Sequence, residues 1–225
     1  MKTLKNFKIR ASGCGSIMGV RGLGKTGETY VKNWMKEQLF ERKQSFSSKY
    51  TQKGNEVEDN SIDFVAEHLG LGMLIKNEQH FENDFMTGTP DLILSDCVID
   101  VKNSWDCFTF PLFEDEIPNN DYFYQGQVYM ALTGKTKYKL VYTLLDTPKH
   151  LIEREAYYFA NNNGLEFDEE LFNDFESKMT YGNIPSEYKI KVFEFEYCQK
   201  TVDKIIDRVN ECRAIVLQMS KTIKL

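Results

Sequence analysis

Hydrophobic residues recur every three or four positions over several segments, and this spacing predicts amphipathic helices. The longest segment closes the chain, where an apolar stripe runs from Val202 to Met219. Asp168 precedes another such segment and is its expected N-cap, because a short acidic side chain can accept a hydrogen bond from the first turn. The residues 161–164, Asn-Asn-Asn-Gly, are expected to form a polar loop. The helices predicted in this way span 26–40, 121–133, 168–179 and 199–225.

A further helix is predicted over residues 53–69, and its two sides differ in polarity. Glu58, Ile62 and Val65 fall on one stripe at helical spacing, whereas Glu56 falls on the opposite side among polar residues. A carboxylate in an apolar stripe is unusual unless it has a partner. We therefore expect Glu58 to point inward and Glu56 to face solvent.

Two short β-rich runs, Leu92–Leu94 and Cys97–Val101, are separated by Ser95 and Asp96, which predicts a β-hairpin. A Gly-Thr-Pro turn precedes the first run and delivers Asp91. Other strands are expected around Leu74, at 138–145 and, half-exposed, at 187–197.

The order of these elements predicts an α/β (α+β) fold with a mixed central sheet flanked by helices. The hairpin is antiparallel, and a helix crossover joins parallel strands. We expect one domain over 1–225, with a core at about 50–148, an N-terminal helical segment at 1–49 and an extension at 149–225 that adds a strand and a long helix.

Composition narrows the class of protein without defining it. Of the 225 residues, 41% are hydrophobic, enough for a substantial core, and no run is long enough to span a membrane. We expect neither a signal peptide nor a disulfide, because the N-terminus lacks an apolar region and the five cysteines are scattered. These features predict a cytoplasmic protein. The net charge of −6 argues weakly against nucleic acid as a partner, although local charge can differ.

The strand ending in Asp100-Val101-Lys102 carries the strongest chemical signal. Side chains alternate across a strand, so Asp100 and Lys102 lie on one face while Val101 and Ile99 point to the other, into a core. Unpaired buried charge costs several kcal/mol. The carboxylates therefore need a cation, and a divalent metal with hard oxygen ligands fits the pattern.

A glycine-rich segment offers a second chemistry. Gly19, Gly24, Lys25 and Thr26 match the G-x-x-x-x-G-K-[ST] loop that cradles nucleotide phosphates. That loop requires a strand before it, and the preceding residues make a poor strand. A glycine-rich loop leading into a helix and a loop that contacts a nucleic-acid phosphate through Lys25 are the alternatives.

The segments Pro90-Asp91 and Asp100-Val101-Lys102 together resemble the signature of the PD-(D/E)XK nuclease superfamily. Three flanking features resemble the phage lambda exonuclease and YqaJ-type viral recombinase branch, over about residues 8–148. The first is an Arg-Ala-Ser segment at Arg10 to Ser12. The second is a G-x-x-x-E pattern from Gly54 to Glu58, and the third is a Q-x-x-x-Y pattern from Gln125 to Tyr129.

The resemblance implies a restriction-endonuclease-like core and a set of site residues. Glu58, Asp91, Asp100 and the Val101 carbonyl would bind one or two Mg²⁺ or Mn²⁺ ions, and Lys102 would orient the attacking water or neutralise developing charge. Gln125 would support the active site. The same resemblance implies DNA contacts by Arg10, Ser12, Lys25 and Tyr129, although Arg10 equally fits a surface arginine and Ser12 a turn cap.

The function that the resemblance implies is a metal-dependent DNA nuclease, an exonuclease acting 5′→3′ on double-stranded ends in phage-type recombination. It also implies a bacterial or phage-infected host cell. It also implies a homo-oligomer such as a trimer, for which the stripe from Val202 to Met219 would supply a surface, and a single-strand-annealing protein as partner. A nucleotide hydrolase working through Gly19–Thr26 and a nucleic-acid-binding module without catalysis remain the alternatives.

Overall fold

The protein is described here by a computed structural model that covers residues 4–45 and 47–222. Its main sheet has four strands in the order β4-β5-β6-β7. The central pair, β5 and β6, is parallel, and both flanking pairs are antiparallel, so the sheet is mixed as predicted. The strands are β4 (Leu92–Ile93), β5 (Cys97–Asn103), β6 (Lys137–Thr143) and β7 (Ile190–Glu196).

A second, smaller mixed sheet has the order β1-β3-β2 and comprises β1 (Ile9–Arg10), β2 (Phe81–Glu82) and β3 (Met86–Gly88). The strand predicted around Leu74 is wrong, because this residue lies in an irregular segment that follows left-handed turns at Gly70 and Gly72. Leu74 instead packs against the apolar cluster that contains Ile62 and Ile99. Its hydrophobicity reflects packing rather than strand pairing.

Helices cover both sides of the main sheet, and the predicted segments 26–40, 121–133 and 168–179 are confirmed to within a few residues. The predicted segment 199–225 is confirmed up to residue 222, and residues 223–225 lie outside the described part of the chain. Asp168 caps its helix as expected, accepting from the Leu171 amide at 2.8 Å. The helices are α1 (Gly24–Phe40), α2 (Lys49–Glu56), α3 (Glu58–His68), α4 (Asn120–Thr133), α5 (Lys149–Asn163), α6 (Glu169–Met179) and α7 (Gln199–Thr222), with 3-10 helices at Ala11–Ile17 and Ser186–Tyr188.

The helix predicted over 53–69 is two helices. The chain breaks at Val57, whose φ of −103° and ψ of 8° lie outside the helical region. The Val57 carbonyl accepts from both the amide and the hydroxyl of Ser61, which holds the junction together. Glu58 is consequently the first residue of α3, where unpaired amides favour a carboxylate.

The predicted polar loop at 161–164 is also wrong. Residues 161–163 form the last turn of α5, and Gly164 ends this helix in the left-handed conformation with a φ of 66°. Asn161, Asn162 and Asn163 are exposed there, so their polarity marks a solvent-facing helix end.

The main sheet separates two apolar clusters. Val98 and Leu140 face the larger one, to which α4 and α7 contribute, and Ile99 and Val141 face the smaller one beneath α3. The stripe of α7 is covered within this chain, as Ile205 shows by its complete burial in the larger cluster. No helix within the described residues is long and apolar enough to cross a membrane.

Candidate active site

Asp100 and Lys102 lie in the middle and last part of β5 and share one face, as the strand period predicted. Asp100 is 1% exposed, and the Lys102 ammonium forms an ion pair with its Oδ2. The other carboxylate oxygen, Oδ1, accepts a hydrogen bond from Gln125 Nε2 at 3.2 Å. Val101 points to the opposite side, into the apolar cluster beneath α3. The strand therefore presents a buried carboxylate and its cation together.

Asp91 meets this face from the neighbouring turn. The pairing of Leu92 with Ile99 brings it beside β5, and its Oδ2 accepts a hydrogen bond from the Val101 amide at 2.9 Å. Burial and the nearby Asp100 carboxylate raise the pKa of Asp91 to about 7. Two carboxylates thus lie close enough to disfavour each other's charge.

Glu58 and Glu56 have different surroundings, as the helical stripe predicted. Glu58 lines the cleft with Asp91, and its Oε2 is 2.5 Å from Lys76 Nζ. Glu56 instead pairs with His150 at 3.2 Å, and both of these side chains are largely solvent-exposed. The break at Val57 therefore leaves the assignment of Glu58 to the cleft intact.

The cleft has a volume of about 520 Å³ and is lined by the predicted site residues of α3, the β4–β5 hairpin and α4, except for the buried Asp100 and Tyr129. Both polar and aromatic side chains contribute to it. Its lining includes Ser12, Tyr50, Glu58, Asp91, Val101, Lys102, Trp105, Tyr122 and Gln125.

The chemistry of the donors fits a divalent cation. Glu58, Asp91 and Asp100 supply hard carboxylate oxygens, the type that Mg²⁺ and Mn²⁺ prefer. Within 4–45 and 47–222, no three acidic, histidine or cysteine side chains already form a metal-binding cluster. Lysine ammonium groups hold two of these carboxylates, Lys76 on Glu58 and Lys102 on Asp100. Lysine ammonium groups therefore balance the charge of two of the three carboxylates.

Gln125 and Tyr129 lie on the same side of α4, and their hydrogen bonds connect Asp100 to the turn that contains Thr89. Gln125 Nε2 donates to Tyr129 Oη at 3.2 Å, and Tyr129 Oη donates to the Thr89 carbonyl at 3.2 Å. The support role predicted for Gln125 agrees with its bond to Asp100. Tyr129, which was predicted to contact DNA, is 5% exposed, and its hydroxyl contacts Gln125 and the Thr89 carbonyl.

Arg10, Ser12 and Lys25 line a second cavity of about 630 Å³ beside α1. Ser12 lines both this cavity and the carboxylate cleft, so the two are neighbours. Arg10 forms an ion pair with Glu37 at 2.6 Å and is half-exposed. The three residues predicted as phosphate contacts therefore share one polar surface next to the site.

The glycine-rich segment does not have the surroundings of a nucleotide-binding loop. A 3-10 helix, Ala11–Ile17, precedes it where that loop requires a strand. Gly19 and Gly22 form a turn, and Arg208 Nη2 donates to the Gly19 carbonyl at 3.3 Å. The segment is a turn held by α7 that leads into α1.

Two cleft-side lysines were not predicted from the sequence. Lys76 lies in the irregular segment after α3, which has no periodic pattern to place it. Lys53 belongs to α2 and is fully buried, donating from Nζ to the Trp105 carbonyl at 3.0 Å. Only the packing of distant segments brings either residue to this region.

The fold supports the resemblance to the PD-(D/E)XK nuclease superfamily, in the branch of phage lambda exonuclease, because solved structures that are similar to it are exonucleases. The chain is similar to a phage-related exonuclease from Haemophilus somnus 129PT, with a TM-score of 0.81 and 27% identity over 97% of each chain. An alkaline exonuclease from Laribacter hongkongensis has the same fold, with a TM-score of 0.67 and 14% identity over 96% of this chain and 91% of its own.

A structure of the Laribacter enzyme in complex with dAMP gives a TM-score of 0.65 and 16% identity, over 96% of this chain and 93% of that one. No protein-family model matches the sequence, and no curated protein does. The similarity to these exonuclease structures confirms the resemblance to this branch, which the sequence showed only through short motifs.

Proposed function

We propose that the protein is a DNA nuclease that hydrolyses phosphodiester bonds with Mg²⁺ or Mn²⁺. The observation that carries this is the convergence of Asp91, Asp100 and Lys102 on one face of β5, with Glu58 across the cleft. Similarity to exonucleases over nearly the whole chain supports the same class of activity. A non-catalytic binding module would have no need of buried, mutually repelling carboxylates.

The site residues have distinct proposed roles. Glu58, Asp91 and Asp100 would hold one or two ions, together with the Val101 carbonyl. A bound divalent ion would lower the pKa of its water and stabilise charge on the scissile phosphate. Lys102 orients the attacking water or neutralises developing charge, and Gln125 keeps Asp100 in position.

The cavity beside α1 is the proposed path for the DNA backbone. Arg10 and Lys25 carry the positive charge there, and Ser12 connects this surface to the cleft. Lysine and arginine contacts to phosphates dominate the affinity of proteins for DNA. The net charge of −6 is compatible with this, because the acidic cleft would bind cations.

Exonuclease action on double-stranded ends, with 5′→3′ polarity and a role in phage-type recombination, is the finer proposal. It rests on the resemblance and on the exonuclease neighbours, one of which is known in complex with dAMP. End-labelled linear DNA and closed circular DNA, each incubated with and without Mg²⁺, test it. Degradation of linear DNA alone, with early release of the 5′ label, is the expected result.

A homo-oligomer such as a trimer, with a single-strand-annealing protein as partner, rests on the resemblance alone. The apolar stripe of α7, which first suggested a subunit surface, is largely covered by this chain's own core. Light scattering at working concentration tests the oligomer, and a monomeric mass would contradict it.

The nuclease assignment itself is tested by Asp100→Asn and Lys102→Ala. We expect both variants to lose Mg²⁺-dependent DNA hydrolysis by a factor of about 10² or more, while circular dichroism shows a folded protein. Asp96→Asn is the matched control, because Asp96 is an exposed residue of the same hairpin. Unchanged turnover in the two site variants would contradict the assignment.

A further inference from the structure

Lys76 places a second ammonium group beside the cleft. Its Nζ lies 2.5 Å from Oε2 of Glu58, a residue that lines the cleft, and both side chains are only partly exposed. The ammonium also interacts electrostatically with Asp91. Lys76 therefore acts on two of the three proposed metal ligands.

The backbone on both sides of Lys76 is fixed to the site. The Asn77 amide donates to the Asp91 carbonyl at 2.7 Å, and Asn77 Nδ2 donates to the Pro90 carbonyl at 2.9 Å. On the other side, Leu74 packs into the apolar cluster beneath the sheet. Lys76 is thus held beside Asp91 whether or not its ammonium contacts Glu58.

This anchoring distinguishes Lys76 from an ordinary surface lysine. Lys139 also pairs with a glutamate, Glu194, at 2.7 Å, but across two strands of the sheet and outside the cleft. Exposed pairs of that kind contribute little to stability, about 0.2–1 kcal/mol. The Lys76 pair has the same geometry, yet it occupies a carboxylate that the nuclease proposal assigns to a metal.

A divalent ion that binds Oε2 of Glu58 competes with the Lys76 ammonium for that oxygen. The displaced ammonium remains near the cleft, since Asn77 and Leu74 still hold its backbone. A flexible lysine side chain is a compact point charge that suits phosphate oxygens. A backbone phosphate of the substrate is the anion that enters this cleft under the proposed function.

We propose that Lys76 has two successive roles in this protein. It is the counter-ion of Glu58 in the metal-free protein, and it becomes a phosphate ligand once the metal is bound. This inference rests on the proposed nuclease function and adds one substrate-binding residue to it.

Two measurements on Lys76→Met test the proposal. The first is the melting temperature as a function of MgCl₂ concentration, where loss of the competing ammonium should lower the half-saturating concentration about two- to five-fold. The second is the Kd for a fluorescent DNA duplex in CaCl₂, measured by anisotropy while the DNA stays intact, which should rise about two- to five-fold. Lys76→Arg should keep the parent's DNA affinity.

Lys139→Met is the control and should change neither quantity. The two shifts have opposite signs, which a purely structural role of Lys76 would not produce. If the parent responds to MgCl₂ and Lys76→Met matches Lys139→Met in either measurement, the proposal for Lys76 is overturned. A parent whose melting temperature ignores MgCl₂ would instead contradict the metal site itself.

Discussion

Two glutamates separated by one residue have opposite environments at the start of α3. Glu58 lines the cleft and pairs with Lys76, whereas Glu56 pairs with His150 at the surface. Glu56 is the last residue of α2 and Glu58 the first residue of α3, so the break at Val57 lies between them. Which glutamate reaches the cleft therefore depends on the backbone conformation at a single residue.

Glu58→Gln should abolish Mg²⁺-dependent cleavage and the rise in melting temperature on adding Mg²⁺, because it removes a charged metal ligand. Without metal, the same change reduces repulsion among carboxylates, but it also removes the Lys76 ion pair. Glu56→Gln is the matched control and should behave like the parent in both assays. If Glu56→Gln is inactive and Glu58→Gln is active, Glu56 and not Glu58 has to be the metal ligand.

Lys53 predicts a pH dependence of stability. Burial lowers the pKa of its ammonium to about 8, while the charges of Asp106 and Asp146 act in the opposite direction. Above about pH 8 the folded protein loses this proton while the unfolded chain, with an ordinary lysine pKa of about 10.4, keeps it. The unfolded state then binds more protons, so this residue's contribution to stability rises with pH.

We expect the free energy of unfolding of the parent, relative to Lys53→Met, to rise by roughly 1–2 kcal/mol between about pH 8 and pH 10. Below about pH 8 the difference should be constant, because both states are protonated. Urea denaturation of the two proteins across this range measures it. Parallel stability curves would show that Lys53 keeps its proton when buried.

At the scale of elements, α4 brings Gln125 to Asp100 because it packs closely on the sheet. Gly126 makes this approach possible. A Cβ at this position would lie 2.6 Å from Phe195 and 2.9 Å from Tyr138, far inside contact distance. Both rings belong to strands of the main sheet, so the glycine sets how near the helix can lie.

Gly126→Ala should lower the free energy of unfolding by about 1–3 kcal/mol, since the helix or the rings have to move. Gly54→Ala is the control within α2, where a Cβ meets no atom within 4 Å. That change should raise stability by about 0.5–1 kcal/mol, because alanine favours a helix over glycine. Chemical denaturation measures the stability of both variants. Equal effects would mean that a Cβ at position 126 fits between α4 and the sheet.

At the scale of the whole molecule, α7 packs against the N-terminal part of the chain. Arg213 of α7 donates from Nε to the Phe7 carbonyl at 3.1 Å and stacks over Phe85, next to the turn between β2 and β3. Ile205 of the same helix lies in the large apolar cluster with residues of β1 and α4. Residues of β1 and of α7, which lie far apart in sequence, therefore belong to one apolar core.

Ile205→Ala should cost about 2–5 kcal/mol of stability, because it opens a cavity in a fully buried position. Leu217→Ala, at an exposed position of the same helix, should change stability by less than about 0.5 kcal/mol. Thermal unfolding monitored by fluorescence measures both. A single transition in Ile205→Ala, shifted as a whole, is expected, and separate loss of α7 alone would contradict a shared core.

Short-range patterns were enough to predict most elements and the central chemistry. Alternation along β5 placed Asp100 and Lys102 on one face, and helical spacing separated Glu58 from Glu56, because both properties follow from local backbone geometry. The hairpin, α4 and α7 were predicted for the same reason. Turn residues and caps, such as Asp168, are likewise decided by neighbours in sequence.

Other features depended on contacts between distant segments. The break at Val57, the irregular segment around Leu74 and the small second sheet have no distinct periodicity, since pairing and packing with remote residues decide them. The hydrogen bond from Tyr129 to the distant Thr89 carbonyl likewise depends on the packing of α4. Lys76 reaches Glu58 only because Asn77 bonds to the Pro90–Asp91 backbone. The local sequence determined which groups carry the chemistry, and tertiary packing decided which of them meet, because no local pattern encodes the position of a remote segment.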